Sequence, residues 1–417
     1  MKSERYKNDI SINNRYVYDH AGRKKEVYHH VRNNPEVELA EYNYNELGQL
    51  VRKNLNGDSL SRLQGIDYRY NIRGWLTSIN NAKLDNDGVL NEDTDDSFGE
   101  ELTYNNDFMA GNTSGSAQWN GSISGMKWKI KGPSIDYSSK NVSAYAFQYD
   151  KVNRLKLANY GSGANGTTCD DSSGHYNEAL TYDEMGNIKT LQRKRSGSLM
   201  DNLVYNYSPN SYKLLWVIDN SGDAAGFNDV NKSIEDYVYD GNGNLTQDKN
   251  KELAINYNYL NLPQSVTNSS KTIGYIYDAT GKKLVKKFSD QSGHYYFDGI
   301  ESKGDTLLFA MTEKGRVRKA SDGSYTYDYF LKDHLGNIRV VLSTDGTKNA
   351  SVYPAASMEP SLSATESTYY SNLDKVRNFT PVGFTSLKKN EKVVHLKGTD
   401  PNKQIGPQHH RQGEQRG

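Results

Sequence analysis

Few residues in this sequence stand in a spacing that supports catalysis or ligation. The adjacent pair Asp333-His334 is the first, since an acid beside an imidazole can orient a general base. Neighbouring strand residues point to opposite faces, however, so the pair reads as a turn aspartate followed by an edge histidine. The acidic run Asp85-Asn-Asp87-Gly-Val-Leu-Asn-Glu92-Asp-Thr-Asp95-Asp96 suggests a calcium loop. An EF-hand needs an oxygen ligand at position 5 and glycine at position 6, and counting from Asp85 these are Val89 and Leu90. It reads instead as a solvated acidic loop. His29-His30 and His409-His410 are vicinal pairs with no cysteine partner, short of the three or four converging ligands of a tight metal site, and read as loop residues. Cys169 is the only cysteine and is followed by Asp170 and Asp171, which would raise its thiol pKa and leave it a poor nucleophile. No catalytic residue, metal or cofactor is expected.

The remaining chemistry is aromatic. Tyrosine occurs 32 times against 10 phenylalanines, and many copies recur in one grammar, Tyr-x-Tyr-Asp-x-x-Gly. It is clearest in Tyr237-Val-Tyr239-Asp240-Gly-Asn-Gly243-Asn-Leu245. Residues two apart share a strand face, and the Asp/Gly/Asn cluster is a turn, so the unit reads as a β-hairpin with tyrosine on one face. Further copies are Tyr16, Tyr18, Asp19 and Gly22; Tyr42, Tyr44 and Gly48; Tyr68, Tyr70 and Gly74; Tyr149, Asp150 and Asn153, with Phe147 at the first position; Tyr182, Asp183 and Gly186; and Tyr275, Tyr277, Asp278 and Gly281. The last is Phe330-Leu-Lys-Asp333-His334-Leu-Gly336-Asn-Ile-Arg339. Degenerate copies begin at Leu102, Tyr205 and Tyr257. Asp is replaced only by Asn in the good copies, which keeps the Asx turn. Glycine is replaced by Asn153, the other residue that tolerates a left-handed backbone. Most of the rings are expected to pack between hairpins. Trp75, Trp119, Trp128 and Trp216 lie off the frame and are the better candidates for exposed contact, for instance with sugars.

Composition fits such an array. Fifty-one basic and 51 acidic residues cancel, so no field draws the chain to nucleic acid or an anionic membrane. Only 35% of residues are hydrophobic and mean hydropathy is −0.86, thin for a helical globule, so tyrosine must supply buried area. No apolar run approaches the roughly 20 residues that span a bilayer. No long window has a 3.6-residue period, so helices should be few and short. Polar insertions at 82–100, 105–126, 161–175 and 219–234 separate the hairpins, and the grammar stops near residue 355.

At Tyr329-Phe-Leu-Lys-Asp-His-Leu-Gly-Asn-Ile-Arg-Val-Val341 the chain resembles the core signature of the bacterial Rhs/YD-repeat proteins. The strings Gln118-Trp-Asn-Gly-Ser-Ile-Ser-Gly-Met-Lys-Trp128 and Asp236-Tyr-Val-Tyr-Asp-Gly-Asn-Gly-Asn-Leu-Thr-Gln-Asp-Lys-Asn-Lys251 are similar to that family as well. The resemblance covers roughly residues 14 to 345. It implies an all-β array of antiparallel hairpins in a long curved or spiralling sheet, part of a shell around a C-terminal cargo, often a toxin. Other members are secreted or cell-surface contact proteins. The family's autoproteolytic Asp-Pro motif has no match after Val341, so self-cleavage is not carried over.

The expectation is therefore a non-catalytic repeat array over residues 1–345, ending in the core signature at 329–341, with a post-core connector at 346–417. Its partner would be the rest of a longer Rhs protein or a cargo domain. The alternative is a secreted or cell-surface carbohydrate-binding module that uses its aromatic faces. The opening Met1-Lys-Ser-Glu-Arg-Tyr carries no apolar leader, which reads as a fragment of a longer secreted or surface protein.

Overall fold

The computed structural model describes residues 2–345 apart from 7–9, 33, 58–61, 85–95, 107, 111–112, 132–141, 164–173, 224, 233–234, 290–292 and 321–322. Beyond residue 345 it describes only four short strands. These are Tyr370–Ser371 paired with Gly406–Pro407, and Arg377–Phe379 paired with Lys392–Val394. They fall in a unit of their own, residues 223–226 and 353–417. The rest of the proposed connector lies outside the described residues, as do Cys169, His409, His410 and most of the acidic run.

The main unit, residues 1–222 and 227–352, is all-β. No helix occurs among the described residues, which corrects the expectation of a few short ones. Fifteen strands from Lys2–Tyr6 to Leu214–Asp219 form one antiparallel sheet, and twelve from Tyr237–Tyr239 to Ile338–Ser343 form a second. In both, neighbours in space follow in sequence, apart from the short pair Met109–Ala110 and Thr113–Ser114 set aside from the first sheet. Neither sheet closes on itself. Sequential hairpins give this order because each strand pairs with the next through a short loop.

One feature repeats in every hairpin of the grammar. The register shifts immediately before the second tyrosine, between Val17/Tyr18, Asn43/Tyr44, Arg69/Tyr70, Gln148/Tyr149, Thr181/Tyr182, Val238/Tyr239 and Ile276/Tyr277. Each shift is a β-bulge, which bends the strand and tightens its twist. The last hairpin has the same shift at Leu331/Lys332.

The core lies where the two sheets face each other. Val27, Val31, Leu39, Leu55 and Phe98 from the first sheet pack in one cluster with Ile300, Val317, Tyr329, Leu331 and Leu342 from the second. Polar contacts stitch the same seam. The Tyr329 hydroxyl donates to Asn56 Oδ1 at 3.0 Å, and Lys24 pairs with Glu313 at 3.0 Å. The early hairpins are therefore held face to face against the last ones, across nearly 300 residues of chain.

Candidate functional site

The repeated turn is built from its aspartate. In the copy at Tyr239, Asp240 Oδ1 accepts the amides of Asn242 at 2.9 Å and Asn244 at 2.8 Å. The Gly243 amide returns to the Asp240 carbonyl at 3.1 Å, and the Asp240 amide donates to the Asn244 carbonyl at 2.9 Å. The same set recurs at Asp19, Asp150, Asp278 and Asp333. Closing the loop needs a left-handed residue, with φ of +77° at Gly22, +87° at Gly243 and +65° at Asn153. Hydrogen bonds from the Asn244 side chain and the loop amides hold the Asp240 carboxyl below its ordinary pKa. All of its strong contacts belong to its own loop, so Asp240 has the role of a turn-former.

The second tyrosine of a hairpin reaches back one hairpin. The hydroxyls of Tyr44, Tyr104, Tyr182, Tyr239, Tyr257 and Tyr277 donate to the carbonyls of Lys24, Leu76, Leu155, Leu214, Leu245 and Pro263 at 2.7–2.9 Å. Each acceptor is the first residue of a strand in the preceding hairpin. Tyr149 makes the equivalent bond to Ile123 at 2.7 Å. The bond from Tyr239 to Leu214 crosses the break between the two sheets. Arginines of the turns add to the junction. Arg23 binds Asp19 at 2.7 Å and lies over the Tyr44 ring at 4.7 Å, and Arg154 does the same between Asp150 and Tyr182. These rings are therefore engaged with neighbouring hairpins. The degenerate copy needs a shift of two residues: Tyr257, Asn258 and Asn261 occupy the second-tyrosine, aspartate and glycine places, and Tyr259 is 86% exposed.

Asp333 and His334 occupy the last such turn. The Asp333 carboxylate takes the amides of Leu335 and Asn337 and pairs with Arg339 at 2.8 Å. His334 is not a free edge residue. Its amide donates to Glu100 Oε2 and its Nδ1 meets Glu100 Oε1, each at 2.9 Å. Glu100 is 1% exposed and sits on the strand Phe98–Thr103 of the other sheet. Asp333 and His334 thus point to different partners and form no acid–base relay. His29 and His30 are also not loop residues, since they lie on the strand Lys24–Val31. His29 is buried against the Tyr327 hydroxyl at 2.9 Å, and burial pushes its imidazole down to about 4. No metal-binding cluster occurs among the described residues. Of the four tryptophans, Trp119 alone is exposed, at 62%. Trp75 packs on Tyr104 at 5.1 Å between ring centres, and Trp128 stacks on Tyr145 at 5.6 Å.

Beside the Glu100–His334 contact lies a cleft between the sheets of about 400 Å³. Its apolar walls include Ile66, Leu76, Phe98 and Phe330, and its charged groups are Lys53, Glu313, Lys314, Lys332 and Asp333, with His334 beside them. Burial, then the nearby charge of Lys332, pushes the Lys53 ammonium down to about 8. Burial brings Lys314 to about 8 as well, against the pull of Glu313. Neither lysine stood out in the sequence, because only the closing of one sheet on the other partly buries them.

No family model matches the chain, and no curated protein matches it. Among solved structures it is similar to the crystal structures of TcdB2-TccC3-Cdc42 and TcdB2-TccC3-TEV. The TM-score is 0.55 for each, at 14% and 12% identity, over 82% and 86% of this chain. The likeness is one of fold. The chain spans 17% of the length of those matched chains. A structure of the Photorhabdus luminescens Tc holotoxin pore with a TccC3 variant also matches, at a TM-score of 0.24 and 12% identity, over 81% of this chain and 22% of that one.

Proposed function

We propose that this chain is a non-catalytic structural element of the Rhs/YD-repeat kind, part of a shell that encloses or presents another polypeptide outside the cytoplasm. The supporting observation is the fold likeness to TcdB2-TccC3 across 82% of the chain, coupled to a turn and tyrosine junction repeated from hairpin to hairpin. The repeat residues spend their hydrogen bonds on one another, which favours a wall over a catalyst.

The test is to express the chain joined to the polypeptide encoded after it and to follow limited proteolysis. A shell predicts that the following polypeptide is cleaved at least tenfold more slowly with this chain than alone. Equal cleavage rates overturn the reading. Glycan binding lost on Trp119→Ala, with no protection of the following polypeptide, would favour the carbohydrate-contact alternative, to which the exposed Trp119 is best suited.

A further inference from the structure

The cleft between the sheets carries more positive charge than its own carboxylates balance. Lys53 enters from the strand Leu50–Leu55 of the first sheet. Lys314 and Lys332 enter from the second sheet, Lys332 from the exposed end of the strand Tyr325–Lys332. The lining carboxylates are already committed. Glu313 is held by Lys24 at 3.0 Å, by Lys314 at 3.4 Å and by the Tyr42 hydroxyl at 3.4 Å. Asp333 is held by its turn amides and Arg339. Behind the cleft, Glu100 is held by His334.

Lys53 meets no carboxylate among the described residues, and its ammonium lies 5.5 Å from the centre of the Tyr68 ring. An ammonium partly withdrawn from water, beside a second one and without an acid, gains when an anion joins it. Burial draws both Lys53 and Lys314 down to about 8. Three lysines face only two lining carboxylates, and both carboxylates are also held by Lys24 and Arg339, so the cleft is net positive and suits an anion. The rest of the wall is mixed, with Ile66, Leu76, Phe98, Phe330 and Leu331 supplying an apolar face beside the polar Asn80. A ligand with an apolar body as well as a negative charge matches that mixed lining better than a small, strongly hydrated dianion.

We infer that this cleft is a binding site for a small apolar monocarboxylate, its carboxylate between Lys53, Lys314 and Lys332 and its hydrocarbon body against Phe98, Phe330 and Leu331. A volume of about 400 Å³ holds a two-ring aromatic acid. The inference is independent of the shell reading, since either can fail without the other.

The probe is 2-naphthoate, titrated calorimetrically into the purified chain at pH 7, with 2-naphthylmethanol as its uncharged counterpart. Naphthoate is expected to bind at least tenfold more tightly than the alcohol. Its affinity should fall at least tenfold in Lys53→Met, and again in wild type between pH 7 and 9.5 as the lysines lose their protons. Lys332→Met, at the exposed end of its strand, provides a second variant should Lys53→Met fold poorly, and unfolding midpoints confirm which variants are folded. Absence of naphthoate binding, equal binding of the alcohol, or unchanged affinity in a folded lysine variant overturns the inference.

Discussion

Replacing single tyrosine hydroxyls tests whether the hairpins are joined as described. In Tyr182→Phe the ring stays under Arg154, so the cation–π contact at 4.6 Å survives and only the bond to the Leu155 carbonyl is lost. That bond is 2.7 Å long and partly buried, and the carbonyl left behind is the first of its strand. Losing such a bond costs about 1 kcal/mol, more where water cannot reach the acceptor. Tyr277→Phe removes the bond to the Pro263 carbonyl and should cost a similar amount. The junctions at Tyr149, Tyr182, Tyr239 and Tyr277 lie in different hairpins, so four substitutions should add to about 4 kcal/mol. The control is Tyr18→Phe, in the first hairpin of the grammar, where the residue is 53% exposed and its hydroxyl meets no acceptor among the described residues. Its cost should stay within about 0.5 kcal/mol. The assay is urea unfolding followed by far-ultraviolet circular dichroism, comparing midpoints at constant slope. If Tyr182→Phe and Tyr277→Phe lose no more than Tyr18→Phe, the hydroxyls do not join the hairpins and the account of the array fails.

Other expectations follow from the turns and the seam. At Gly243 an added side chain meets only Lys213 Cε, at 4.0 Å, so Gly243→Val isolates the backbone strain of φ +87°. It should cost about 2 kcal/mol and Gly243→Asn clearly less, measured as a pair of urea midpoints. Lys53 is depressed from 10.5 to about 8, so between those values the unfolded chain holds a proton that the folded chain lacks. Folding stability should therefore rise with pH across that window, and Lys53→Met should flatten the rise. The same variant should be more stable than wild type at pH 7, by on the order of 1–3 kcal/mol. A loss of stability at pH 7 contradicts the buried, unpaired state assigned to Lys53. His334→Ala strips Glu100 Oε1 of its imidazole partner and should cost about 1–3 kcal/mol. An unfolding midpoint equal to wild type would mean that the seam does not depend on this pair.

The repeating unit was legible because its signals are local. Two tyrosines two apart and an Asp followed by Gly announce a strand and a turn within nine residues. The exchange of Gly for Asn153 shows the backbone such a turn needs, and φ there is +65°. The bulge before each second tyrosine was hidden, because it is a relation between two strands and leaves no mark on either alone. The reading of Tyr257 and Tyr259 slipped by two for the same reason: both frames place a tyrosine before an Asn or Leu, and only the pairing of Tyr257 with Pro263 decides between them. The seam was beyond reach. Glu100 falls at the edge of an acidic insertion that reads as solvated, and its partner His334 is 234 residues away. His29 reads as one half of a polar pair until Tyr327 covers it. Such residues acquire their roles only when distant hairpins meet, and nothing in their own neighbourhood marks them.

The backward reach of the tyrosines makes assembly directional. A hairpin offers the carbonyl that opens its second strand to the next one and receives nothing from it by this bond, so each unit docks on a surface that its predecessor has already made. A chain emerging from the ribosome amino end first can then add hairpins in order, each one locking as it appears, with little conformational search per step. The seam works by the opposite rule. Glu100 and His334, Asn56 and Tyr329, and Lys24 and Glu313 can meet only after the last strands of the second sheet exist. Growth is thus continuous, and closure, which buries the core shared by the early and late hairpins, comes last.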